Sequence, residues 1–256
     1  MYKYFNRIFQ GNKSEYQKIL VGYLNDGEKR VVVTANPEFF SYAKTDEVVS
    51  NMLLDETVDV VADGIGLVKA AKILGINLPE RIPGVELTEF LFQYANEYSS
   101  KVCIFGSKQE VLDLLVEKMD KDYPNAQLIG VENGYVSDKE EVLKNMINKN
   151  PDICIVAMGM PIQEKLIYKS ISLAKKGIFI GVGGSLDVIS GDKKRAPMIF
   201  RKLHLEWLYR LMKEPQRISR FLKYNVAFLL EVRKLKKWWS ELYESNDNLW
   251  NKTRSD

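Results

Sequence analysis

Asp63 stands directly after the apolar run Val58–Ala62 (VDVVA) and ahead of Gly64-Ile65-Gly66. A carboxylate at the end of a buried strand is partly desolvated, which raises its pKa and suits it to take a proton from an attacking hydroxyl. The same position also suits an N-cap for a helix starting at Gly66, and local sequence leaves both roles open. Asn36 and Gln163 follow other apolar runs. Each is a neutral amide able to hold sugar hydroxyls; the alternatives are an Asx-turn before Pro37 and a first-turn helix residue. Arg81 lies in Pro79-Glu80-Arg81-Ile82-Pro83-Gly84, a stiff loop that fits a fixed anion contact, with an ordinary salt bridge as the alternative. Gly106-Ser107 and Gly183-Gly184-Ser185 sit where backbone N–H groups at a helix N-terminus can cradle a diphosphate. Glycine serves ordinary tight turns in the same places. The one Asp-x-Asp spacing of metal-dependent sugar chemistry, Asp120-Lys121-Asp122, falls at the polar end of a helical segment and reads as a solvated terminus.

These residues need a frame that brings them together, and the pattern supplies one. Arg30–Thr34, Val58–Ala62, Lys101–Phe105, Gln127–Val131, Asp152–Met158 and Gly177–Val182 are short β-branched runs with continuous apolar character, the mark of parallel strands covered on both faces. Helical periodicity fills the gaps at about 66–75, 85–98, 108–122, 138–149 and 161–176, with Ser107 and Ser137 as expected N-caps. The predicted fold is α/β, a Rossmann-like open and largely parallel sheet with helices on its faces. Ligands in such sheets sit beyond the carboxyl ends of the strands. Six consecutive strand ends here carry glycine or polar residues, so one rim is the expected site.

With 256 residues, 46% of them hydrophobic and 28% charged, the chain has material for a sizeable core. No run approaches the roughly 18 to 20 apolar residues of a membrane-spanning helix. The opening stretch MYKYFNRIFQGNKSEYQ lacks the apolar segment of a secretory signal, which predicts a cytoplasmic location. Two cysteines, Cys103 and Cys154, exclude a disulfide framework, and the single His204 excludes histidine-rich metal chemistry. Residues 192–239 hold 14 Lys and Arg against 4 Asp and Glu, a net of +10, whereas 1–191 carry a net of −5. The predicted organisation is therefore an α/β core at 1–191, a basic helical appendage at 192–239 and a polar tail at 240–256.

Within the appendage, Glu214-Pro215 should break the helix. Beyond it Ile218, Phe221, Leu222, Leu229, Val232, Leu235 and Trp239 form an apolar stripe flanked by Arg217, Arg220, Lys223, Arg233, Lys234, Lys236 and Lys237. A basic amphipathic helix with Trp238 and Trp239 at its edge fits an anionic membrane surface, each basic residue contributing on the order of 1 kcal/mol there. A helix packed on the core with a solvated charged face is the alternative.

Five ordered blocks carry a specific resemblance: TANPEFF at 34–40, ADGIGLV at 62–68, ERIPGVELT at 80–88, AMGMPIQEKLI at 157–167, and the long run from GVGGSLD at 181 to Arg220. Together they resemble the WecG/TagA/CpsF family of bacterial glycosyltransferases across about residues 5–235. The resemblance implies an inverting, metal-independent enzyme without a cofactor, moving a sugar from a UDP donor to a polyprenyl-diphosphate-linked acceptor. N-acetylmannosamine onto N-acetylglucosaminyl diphosphoundecaprenol, in teichoic acid and cell-wall biosynthesis, is the leading pairing. N-acetylmannosaminuronic acid and glucose are the other donors. It implies Asp63 as the catalytic base, with Thr34, Asn36, Arg81 and Gln163 at other active-site positions. Tyr135 and Asp187 fall where the family contacts uridine, and Arg210, Arg217 and Arg220 match arginines that meet the diphosphate. It further implies a peripheral position at the inner face of the cell membrane and a possible homo-oligomer, with no nucleic-acid partner. Two competing classes are a nicotinamide-dependent oxidoreductase and a non-catalytic adaptor for an anionic surface. Against the first, no early strand is followed by G-x-G-x-x-G with an acidic residue about 20 positions later.

Overall fold

Backbone pairing joins the six apolar runs into one sheet in the computed structural model of the chain, which describes residues 2–203 and 205–237. The strands are β1 (Lys29–Ala35), β2 (Val58–Ala62), β3 (Lys101–Gly106), β4 (Gln127–Glu132), β5 (Ile153–Ala157) and β6 (Gly177–Gly181). All neighbours are parallel, in the order β2-β1-β6-β5-β3-β4. Strand periodicity sends alternate residues to opposite layers. Val31, Val33 and Ala35 pack with Phe39, Phe40 and Leu67 on one face. Val32 joins Val61, Ile104, Ile155 and Ile180 against Leu87, Leu91 and Phe92 on the other. The α/β expectation holds.

β4 departs from the expected burial on both faces: it is an outer strand and stays half-exposed. At the opposite edge, Ile8 bridges Val60, and the Phe9 N–H donates to the Val60 carbonyl at 2.8 Å. The N-terminal residues thus cap the exposed backbone of β2, a common protection against edge pairing.

The interstrand helices run Ile65–Leu74, Gly84–Tyr98, Gln109–Asp122, Lys139–Asn148 and Ile162–Ser170, the last ending in a 3₁₀ turn at Ile171–Leu173. Two expected caps are displaced by one residue. Ser107 takes a left-handed φ of 61°, and Lys108 occupies the cap position. Asp138, rather than Ser137, caps its helix by accepting from the Glu141 N–H at 2.9 Å. Periodicity passed over Lys13–Asn25, held by an Asn12/Glu15 capping box, and the short helices Pro37–Tyr42 and Glu47–Leu54.

The chain leaves β3 toward β4 and leaves β5 toward β6, on opposite sides, so a crevice opens between their carboxyl ends. After β6 no further strand occurs among the described residues. Helices Met198–Lys202 and Glu206–Lys213 precede the expected break, a 3₁₀ turn at Pro215–Arg217. Ile218–Phe221 then leads into a π-helical turn, Leu222–Val226, and helix continues to 237.

The predicted amphipathic stripe is divided. Val232 is fully buried, and so is Phe228, which the stripe did not include; its ring meets Phe5 and Phe40 at centroid distances of 6.2 and 6.1 Å. Ile218 and Leu222 remain exposed. Pairing of side chains, which periodicity cannot see, docks one face of this segment on the core. Trp238, Trp239, His204 and the 240–256 tail lie outside the described residues.

Candidate active site

The rim divides into two lobes joined at Gly181. At the first, Thr34, the next-to-last residue of β1, is almost wholly buried, and its Oγ1 donates to the Gly181 carbonyl at 3.1 Å. An added Cβ on Gly84 would fall 3.3 Å from that oxygen, so a glycine lets the Pro83-Gly84 loop close over the strand end. Asn36 caps the helix Pro37–Tyr42, its Oδ1 accepting from the Phe39 N–H at 3.0 Å. That is the turn-forming role.

Asp63 is half-buried at the end of β2, and its N–H donates to the Ala35 carbonyl at 2.9 Å. Gly64, not Asp63, is the cap of the helix Ile65–Leu74. The capping alternative is therefore not the arrangement adopted, and the next residue, Gly64, lies on the rim's first lobe against Asn36-Pro37, where an added Cβ would be 3.6 Å from Asn36 Cβ and 3.7 Å from Pro37 Cδ. Gly66 is required here: an added Cβ would lie 2.7 Å from Pro37 Cγ and 3.3 Å from Asn225 Oδ1. The C-terminal segment thus lies against the turn that carries Asp63.

Ion pairs to the core hold that segment, Lys44 with Glu231 among them. Arg81 Nη2 donates to Glu206 Oε2 at 3.0 Å, with the side chains only 15% and 8% exposed. The salt-bridge alternative for Arg81 is the one realised, across 125 positions. Arg220 Nε reaches both oxygens of Glu38 at 2.9 and 3.0 Å, and Glu38 also accepts from the Tyr42 hydroxyl. The Glu38 carboxylate holds the Arg220 guanidinium above its ordinary pKa, and burial together with Glu38 and Tyr224 pushes the Tyr42 phenol up. The Tyr42 and Tyr224 rings meet at 5.7 Å. The side chains of Arg210 and Arg217 lie outside the described part of the structure.

The second lobe is the crevice between β3 and β5. Gly106 has φ 118°, and an added Cβ would fall 2.3 Å from the Ala157 carbonyl oxygen, so only glycine fits. The Ser107 N–H donates to that same carbonyl at 2.7 Å, and the Gly134 N–H to the Ser107 carbonyl at 3.0 Å. Ser107 Oγ donates to Asp187 Oδ1 at 3.1 Å, while Lys193 Nζ holds Asp187 Oδ2 at 2.8 Å. Tyr135 projects outward, 76% exposed. The predicted glycine cradle takes a different form. The N–H groups of Ser107 and Gly183 are already committed, Gly183 to Gln163 Oε1 at 2.9 Å, and Gly184 opens a helix of only five residues. Gly106 acts through close approach and Gly183 through a left-handed φ of 51°, while the hydroxyl and carboxylate of Ser107 and Asp187 supply the polar edge.

Between the lobes Gln163 is 1% exposed. Its Oε1 accepts from the Met158, Gly159 and Gly183 N–H groups, and its Nε2 donates to Glu164 Oε1 at 2.7 Å. The expected contact with sugar hydroxyls is replaced by a tie between the loops after β5 and β6. Glu38, Glu164, Glu206 and Asn225 were not singled out by the sequence. The signal for the first two was present, as carboxylates inside the apolar stretches PEFF and MPIQEKLI.

Burial pushes the Glu164 carboxyl up to about 7, against the Gln163 bond that lowers it. An unfolded chain loses this proton near 4.5 while the folded protein keeps it to about 7, so stability falls as pH rises through that window. Glu164→Gln should flatten this slope, improving stability at pH 8 relative to pH 4 by roughly 3 kcal/mol against the wild type. Denaturant unfolding at the two pH values reads it; parallel pH dependence in both proteins would show that Glu164 titrates normally.

Asp120-Lys121-Asp122 closes the helix Gln109–Asp122, where Asp122 pairs with Lys118 at 2.7 Å. Among the described residues no group of three or more His, Cys, Asp or Glu side chains is placed to hold a metal ion.

Residues 6–241 match the Glycosyl transferase WecG/TagA/CpsF family. The N-acetylglucosaminyldiphosphoundecaprenol N-acetyl-beta-D-mannosaminyltransferase of Bacillus subtilis (strain 168) is 36% identical over 217 residues, which cover 84% of this chain and 84% of that protein. The protein of the same name from Staphylococcus aureus (strain MW2) is 38% identical over 207 residues, 80% of each chain.

Proposed function

Because the chain belongs to the WecG/TagA/CpsF family of glycosyl transferases, we propose that it moves an N-acetylmannosaminyl group from a UDP donor to N-acetylglucosaminyl diphosphoundecaprenol. The transfer proceeds with inversion and without a metal. Family membership removes the nicotinamide-dependent alternative. One observation carries the site: the basic C-terminal segment docks on the turn bearing Asp63, through Asn225 on Gly66 and Arg220 on Glu38.

Asp63 takes the proton of the acceptor hydroxyl as its oxygen forms a bond to the anomeric carbon and the bond to the UDP oxygen breaks. UDP leaves with the charge of its diphosphate, which must be met by preorganised cations or dipoles. Arg210, Arg217 and Arg220 fill this role from the appendage, and Arg81 braces that segment through Glu206. The nucleotide lies toward the crevice of Ser107, Tyr135 and Asp187.

No described helix is long and apolar enough to cross a membrane. Met198, Ile199, Leu203, Met212, Ile218, Leu222 and Leu230 are exposed along the C-terminal segment. Such apolar exposure beside a +10 segment supports peripheral attachment to an anionic membrane face, where the lipid-linked acceptor resides.

Donor choice is tested with a panel of UDP-sugars and a short-chain N-acetylglucosaminyl diphosphate lipid, read by product mass. UDP-N-acetylmannosamine should give the disaccharide product, and exclusive use of another sugar would overturn the donor assignment. Calorimetry should show UDP binding in the micromolar range, about 8 kcal/mol, that persists in EDTA. Loss of binding or turnover in EDTA, restored by Mg²⁺ or Mn²⁺, would overturn the metal-free mechanism.

A further inference from the structure

Gln163 Oε1 lies 3.1, 3.0 and 2.9 Å from the N–H groups of Met158, Gly159 and Gly183. Three donors converging on one atom can be met only by the amide oxygen, so the orientation of this amide is fixed by its surroundings. Its Nε2 then faces Glu164 Oε1 at 2.7 Å. Both side chains are 1% exposed and press on Gly181, where an added Cβ would come within 2.8 Å of Gln163 Nε2 and 2.9 Å of Glu164 Oε1. Thr34 bonds the carbonyl of that same glycine. Glu164 is therefore built into the junction of the two lobes.

Glu164 Oε2 is buried without a hydrogen-bond partner. A carboxyl kept there costs more than an apolar residue of the same size would, unless its polarity has a use. Local rules broken at such expense belong to functional positions. The use is visible in the bond to Gln163: an acceptor at this point holds the amide nitrogen and leaves the oxygen to the loops. Removing the acceptor strands a buried N–H₂ and leaves the three loop donors as the amide's only anchor.

We propose that Glu164 is a positioning residue for donor binding: through Gln163 it holds the loops after β5 and β6 in the shape that the nucleotide meets. This rests on the assignment of the nucleotide to the Asp187 side of the rim. Burial that keeps the group near neutrality agrees with an acceptor serving one amide rather than a free charge.

The test uses the full chain, with UDP titrated by calorimetry and with donor and acceptor kinetics. Glu164→Met should weaken UDP and raise the donor KM by about tenfold or more, the equivalent of one anchoring hydrogen bond, with kcat and acceptor KM within about threefold. Glu164→Gln should rescue donor affinity to within about twofold, because its carbonyl accepts from Gln163 as the carboxyl did. If Glu164→Met does not fold by near-ultraviolet circular dichroism, Glu164→Asp takes its place. That side chain is one methylene too short to reach Gln163 and should show the same donor-specific loss. A folded Met or Asp variant with wild-type UDP affinity overturns the proposal, as does a Gln variant no better than Met. Asp187→Asn separates the premise. UDP binding weakened by Asp187→Asn but not by the Glu164 variants defeats the positioning role alone; binding insensitive to Asp187→Asn defeats the placement of the nucleotide.

Discussion

Asp63→Asn should lower turnover by roughly 100-fold or more while leaving the fold and UDP affinity in place, the usual scale for losing a general base. Asparagine matches aspartate in shape but cannot take a proton from the acceptor hydroxyl. The fold should survive because the structural work at this position is done by the backbone: the Asp63 N–H holds the Ala35 carbonyl, and the following helix is capped by Gly64. UDP affinity should survive because Ser107, Tyr135 and Asp187 lie on the other lobe, beyond β3, β4 and β6. Single-turnover rates with saturating donor and a short-chain acceptor, beside UDP calorimetry on the same preparations, separate the two quantities. A rate within a few-fold of wild type would remove Asp63 from the mechanism. A matched loss of UDP affinity would place it in donor binding instead.

The frame of this site was legible because parallel strands write themselves as continuous apolar runs, and their ends are marked by glycine and polar residues. Asp63 was legible for the same reason, as a carboxylate one step past VDVVA. Side-chain direction was not. Gln163 has a residue type suited to sugar hydroxyls, yet its amide faces inward and is consumed by three backbone donors and Glu164. Gly183 follows the same logic, since its backbone donor is taken by a residue twenty positions away. Partners remote in the chain were equally hidden: Glu206 for Arg81, Glu38 for Arg220, and Phe228 for Phe5 and Phe40. A helical stripe in sequence shows that one face is apolar, not whether that face meets lipid or protein. Here the stripe is divided, with Val232 buried against the core and Leu222 exposed.

That division decides how the appendage must be tested. Cutting the chain after Gly191 would strip Phe228 and Val232 from the core and uncover Phe5 and Phe40, so lost activity would report damage to the core as well as lost arginines. Point changes avoid this. Arg210→Gln, Arg217→Gln and Arg220→Gln together should reduce turnover on a soluble short-chain acceptor by about 100-fold or more, since cations placed at a departing diphosphate act where charge develops. Vesicle binding should fall only partly, because Arg233, Lys234 and Lys236 remain exposed on the helix. The Glu38 pair is the complication: Gln at 220 also leaves a nearly buried carboxylate without its guanidinium, which loosens docking on its own. Adding Glu38→Gln to the triple variant removes that stranded charge. If the arginines act on the diphosphate, the fourth change restores thermal stability but not turnover. If turnover returns with it, Arg220 serves only to dock the segment. Full turnover in the triple variant would leave the appendage an anchor and the composite site without support.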